Sequence, residues 1–144
     1  MYHHLLIAID GSDLSQKALR QGLALAKALA ARVTVVTVTQ PVTDGFLRGF
    51  GLNLSAAAYA KAAIDHAKKV LDGAVSIAGS GQTIDAVHVA ENYPAEGILT
   101  TAEQRQADLI VMAPHDRRPV DWFLFGSETS RVVAEGDRSV LIVR

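Results

Sequence analysis

The chain has no cysteine. That excludes disulfides, thiol nucleophiles and cysteine zinc sites, and it agrees with a reducing compartment. Aromatic residues make up only 6% of the chain against 49% hydrophobic residues overall, so any core must be built mainly from Ala, Val, Leu and Ile. An excess of either charge is also lacking: 14 Lys and Arg stand against 15 Asp and Glu, a net charge of −1. No basic patch offers the electrostatic footprint of a nucleic-acid binder, and no cationic amphipathic helix suggests a membrane surface. The apolar run in "MYHHLLIAID" has no positive region before it and is too short for a signal peptide or a bilayer span. The expectation is a cytoplasmic protein with neither a nucleic-acid nor a membrane partner.

What is present is regular alternation over 144 residues, the size of one ordinary domain. "HLLIAID" (His4–Asp10) is a short apolar run ending in the turn signal "DGSDLS", which predicts a buried strand. Helical spacing then places Leu14, Ala18, Gly22, Leu25 and Leu29 on one face, with Ser12 or Asp13 as the N-cap. "RVTVVTVT" (Arg32–Thr39) is β-branched almost throughout and predicts a second strand. The segment Gln40–Leu54, with its glycines and two phenylalanines, reads as a long loop of the kind that covers a site.

An Ala-rich helix is expected from about Ser55 to Ile77, a strand over Thr83–Ala90, and a helix over Pro94–Gln106 with Pro in its first turn. "ADLIVMAP" predicts the fourth strand, Ser127–Glu135 a short helix and "SVLIV" a final strand. Strands alternating with helices imply right-handed crossovers and a doubly wound parallel sheet with helices on both faces, in a single α/β domain spanning 1–144. In such a sheet ligands sit beyond the carboxyl ends of the strands, where the strand order reverses. The loops after strands one, two and four are therefore the place for a site.

Most known chemistries of this architecture are absent. There is no GxxxxGK[ST] phosphate loop, no GxGxxG and no GxSxG elbow. The Asp ending strand three and the Lys ending strand five of a phospho-acceptor receiver are missing as well: the third strand ends in Val89-Ala90 and the last in Arg144. His3, His4, His66, His88 and His115 show no metal-ligand spacing, and only His115 lies in a candidate site loop. Gly126-Ser127 remains, at a predicted helix start. Free N–H groups and the positive dipole end there attract anions, although Ser127 equally suits a plain cap. No activated nucleophile with a base partner can be named, so the expectation is a non-enzymatic protein, a slow ATPase being the residual catalytic alternative.

"LIAIDGS", "ADLIVMAPH", "FLFGSETSRVV" and "SVLIV", in this order and spacing, resemble the universal stress protein family over essentially the whole chain, Leu5 to Val143. The resemblance implies five parallel strands in the order 3-2-1-4-5, a homodimer formed through the C-terminal strand, and a cytosolic stress-response role with a protein partner that the sequence does not name. One branch of the family binds ATP through G-x2-G-x9-G-[ST]. Here the final pair is present as Gly126-Ser127, while Ala113 and Asp116 replace the two earlier glycines.

By the same resemblance Asp10 would face a ribose, and Ala8, Ile9, Val38 and Met112 would line an adenine. Ser127, Glu128 and Thr129 would present backbone or hydroxyl groups to phosphate. ATP, ADP and AMP are all admitted as ligands. A carboxylate such as Asp116 about 4 Å from a phosphate oxygen costs on the order of 4 kcal/mol at an effective dielectric near 20. The resemblance therefore implies weak or altered nucleotide binding, with a phosphate loop rebuilt around Arg117 and Arg118 as the alternative.

Overall fold

The computed structural model describes residues 1–114 and 127–144; of Ser127 it describes the backbone only. The elements follow the expected alternation: β1 (His4–Ala8), α1 (Asp13–Leu29), β2 (Arg32–Thr39), α2 (Asp44–Gly49), α3 (Ala56–Ala78), β3 (Ile84–Ala90), α4 (Pro94–Arg105), β4 (Leu109–Met112), α5 (Ser127–Glu135) and β5 (Ser139–Ile142). The five strands form one parallel sheet in the order β3-β2-β1-β4-β5. The order reverses between β1 and β4, which is the switch point where an open α/β sheet leaves a crevice.

Strand parity divides the core in two. Leu5, Ile7 and Ile9 point toward α1 and α3, with Leu19, Leu23, Val33, Val35 and Val111. Leu6 points to the other face and meets Val36, Ile98, Ile110, Met112 and Val132 around α4 and α5. Strands buried on both faces have to be apolar at every position, which is why "LLI" and "LIVM" carry no alternation. β3 and β5 are the edges of the sheet and are only partly covered.

Two expectations are corrected. The buried face of α1 is Ser15, Ala18, Leu19, Gly22, Leu23 and Ala26, whereas Leu25 is half-buried and Leu29 is 38% exposed. The expected stripe is a single face centred to one side of the buried one, so the two share only Ala18 and Gly22. The segment Gln40–Leu54 is also not wholly irregular. Thr43 Oγ1 accepts the Phe46 N–H at 3.1 Å and starts α2, and the Asp44 carboxylate accepts the Ala56 N–H at the head of α3. Leu47 anchors this helix at 1% exposure, while Phe46 and Phe50 stay exposed with ring centroids 4.9 Å apart.

Candidate functional site

The turn after β1 is a small hydrogen-bonded unit. Gly11 has φ +87°, a backbone that favours glycine. Asp10 Oδ1 accepts the Ser12 N–H at 2.9 Å, and Ser12 Oγ accepts the Ser15 N–H at 3.2 Å as the N-cap of α1. The buried Ser15 hydroxyl closes the unit by donating to the Ser12 carbonyl and accepting the Asp10 N–H. Asp10 is thus exposed and held by its own turn at the carboxyl end of β1.

The residues expected around an adenine converge on this end of the sheet, but their side chains divide between its faces. Ile9 and Ala113 pack into the α1–α3 core, and Ala8, Val38 and Met112 into the α4–α5 core. Ile9 is 7% and Met112 6% exposed, so they form a floor rather than open walls. Val38 meets Gly97 of α4 so closely that a Cβ there would stand 2.8 Å from Val38 Cγ2. Ala113, in the place of the first motif glycine, is not among the positive-φ residues, so its Cβ brings no backbone strain.

The Glu128 side chain has a task separate from any backbone N–H it would present to a phosphate. Its Oε2 accepts the Ala95 N–H of α4 at 2.7 Å, and Arg131 lies 3.7 Å from its other oxygen. The N-cap of α4, Tyr93, makes no side-chain capping bond, and the carboxylate reaches across from α5 to supply one. Because α4 begins just beyond β3, this bond holds the first turn of α5, with the Ser127 backbone and Thr129, at the same end of the sheet as Asp10. Next along α5, the Glu135 carboxylate bonded to Arg131 raises the guanidinium pKa. His115, Asp116 and Gly126, with Arg117 and Arg118, lie outside the described residues.

A cavity of about 280 Å³ lies beyond β2 and β3, where the loop after the second strand was expected to border a site. Thr39, Pro41, Tyr59, Ala63, Ile64 and Glu91 are among the residues that line it. Glu91 has φ +56°, an uncommon backbone for a non-glycine residue, and Thr39 Oγ1 pairs with His88 Nε2 at 2.8 Å. Backbone angle is invisible in sequence. Among the described residues no three His, Asp or Glu side chains gather as a metal site, and no helix is long and apolar enough to cross a membrane.

The model of the universal stress protein family matches residues 1–144. A universal stress protein from Thermus aquaticus, described as lying 3' of a QAH/OAS sulfhydrylase region, is 35% identical over 144 residues, covering 100% of both chains. A universal stress protein solved in complex with cAMP superposes with a TM-score of 0.75 at 23% identity, covering 99% of this chain and 97% of that one. The Archaeoglobus fulgidus universal stress protein in complex with dAMP gives a TM-score of 0.73 at 20% identity, with 99% and 98% covered.

Proposed function

The chain belongs to the universal stress protein family, and from that premise we propose that it is a dimeric, non-enzymatic regulatory module that binds an adenine mononucleotide and takes ATP poorly. The observation that carries this reading is the bond from Glu128 to Ala95. It sets the start of α5, where helix N–H groups favour an anion, at the end of the sheet that holds Asp10, Val38 and Met112. The ligands of the two solved relatives, cAMP and dAMP, each carry a single phosphate. In the sequence Asp116 stands where the ATP-binding motif has a glycine. A carboxylate there opposes phosphates in proportion to their charge, so AMP is penalised less than ATP.

Calorimetric titration of the intact chain with AMP and ATP tests this. The expected result is AMP binding at least as tight as ATP, and a tenfold or greater gain for ATP in the double variant Ala113→Gly, Asp116→Gly, about 1.4 kcal/mol. Tight ATP binding that the double variant leaves unchanged overturns the reading. If Arg117→Ala then abolishes that binding, the alternative of an arginine-clamped ATP regulator takes its place. Phosphate release on prolonged incubation with ATP would overturn the non-enzymatic part.

Dimerisation is supported by the open edge of β5. Among the described residues this strand pairs only with β4, Leu141 is 38% exposed on it, and Val133 on the adjoining α5 is 56% exposed. An apolar edge of this kind is stable in solution when paired or covered. Light scattering should give twice the chain mass, and Leu141→Lys should return it to the monomer value.

A further inference from the structure

We propose that the groove between α1 and α3, on the sheet face behind the Asp10–Gly11 turn, binds a small amphipathic monocarboxylate. Among the described residues, α1, α3 and α4, the helices longer than ten residues, each carry one interior glycine, and an interior glycine costs stability relative to alanine. Two of them have a steric reason: a Cβ would stand 2.6 Å from Ile7 Cδ1 at Gly22 and 2.8 Å from Val38 Cγ2 at Gly97. Gly73, inside α3, has none, for nothing lies within 4 Å of where its Cβ would be. What Gly73 borders is a groove of about 330 Å³, at the small end of the ~300–1,000 Å³ range of ligand sites.

The chemistry of the groove is lopsided. Ile9, Leu19 and Ala74 are buried and form its floor, with Val70 and Ile77 as its partly covered walls. The rim carries His66 and Lys69, and no acidic side chain lines it. Among the described residues neither His66 nor Lys69 has a hydrogen-bond or ion-pair partner, and Asp65 and Asp72, one turn from Lys69 along α3, form no ion pair with it. An apolar trough with one uncommitted ammonium beside it matches an apolar body that carries one negative charge. Polyphosphates would meet one lysine and no free helix end, since Ser12 already caps α1. The inference does not rest on the nucleotide reading and shares only the buried Ile9 with it.

The test uses 4-phenylbutyrate and its uncharged amide, titrated into the full chain and followed by two-dimensional amide NMR. Saturable shifts confined mainly to residues 9–19 and 66–77 are expected, with the amide at least fivefold weaker. Lys69→Gln should erase the preference for the acid, and Lys69→Arg should keep it. Gly73→Met places a good helix former into open space and should lower affinity at least tenfold with the helical circular dichroism unchanged. Shifts that are absent or lie elsewhere, equal binding of acid and amide, or unchanged binding by a folded Gly73→Met protein would each overturn the proposal. So would loss of dimer mass on Gly73→Met, which would make the groove a contact between copies. Should Gly73→Met fail to fold, the Lys69 pair still decides.

Discussion

The two ends of the sheet are built on opposite plans. At the amino end His4 is 6% exposed and its Nε2 pairs with Thr34 Oγ1 at 2.8 Å, while Asp108 accepts the N–H groups of His3 at 2.8 Å and His4 at 3.0 Å. These bonds lock the starts of β1, β2 and β4 together. At the carboxyl end Asp10 and Ser12 bond within one turn, and the space beyond β2 and β3 is a cavity. The polar groups of the amino end hold three strand starts to each other; those around Asp10 hold a turn to itself, with the Thr39–His88 pair linking β2 to β3 beside the cavity. A parallel sheet can therefore keep a rigid frame beneath an adaptable rim.

Two groups at the amino end have their pKa values moved by these surroundings. Burial lowers the His4 pKa, the Arg32 charge adds to it, and the Arg105 carbonyl, Asp108 and Asp85 oppose them without prevailing. The Nδ1 of the ring is buried without a hydrogen-bond partner, so the influence of the Arg105 carbonyl falls short of a bond. Asp108 feels burial that raises its pKa, but the two backbone donors outweigh it and the net shift is downward.

Breaking the closed end should give the largest effect. Asp108→Ala removes a charged acceptor from two backbone N–H groups at once and should cost about 2 kcal/mol in urea unfolding, with nucleotide affinity unchanged. The matching change at the open end, Asp10→Asn, retains an acceptor for the Ser12 N–H. Stability should stay within about 0.5 kcal/mol of wild type while AMP affinity falls roughly tenfold, about 1.4 kcal/mol, by calorimetry. An equal loss of stability from both variants would erase the distinction between the ends.

Glu128→Ala probes the bond that reaches from α5 to α4 at the open end. Without the carboxylate the Ala95 N–H loses its cap, and the melting curve should report a loss of about 1 kcal/mol. The smallest effect should be the pH response of the closed end. His4 titrates below 6.5 in the folded chain and at about 6.5 when unfolded, so the unfolded chain takes up the proton first as pH falls. The stability of neutral His4 is therefore fully present above pH 6.5 and is lost as pH falls from there through its folded pKa. Urea midpoints between pH 7 and 5 should decline in the wild type, and His4→Gln should flatten that decline.

Local signals carried most of the elements. The β-branched "RVTVVTVT" is a strand with the expected bounds, Pro94 opens its helix, and Ser12 and Ser55 cap theirs. The topology followed because alternating strands and helices leave few right-handed arrangements. The site was less legible. Asp10 came from the family resemblance, but the use of Val38 against Gly97, the positive φ of Glu91 and the groove beside Gly73 depend on which elements become neighbours.

The order of residues thus settled by itself what depends on near neighbours: helix starts, strand runs and the alternation that implies a parallel sheet. Only the tertiary structure decided that Glu128 caps a helix 33 residues away in sequence, that His4 pairs with Thr34, and that Gly22 and Gly97 are packed tight while Gly73 stands open. The reason is physical. Caps and periodicities are bonds and angles within a few residues, whereas burial and long-range partners exist only once the sheet has brought distant segments within reach of one another.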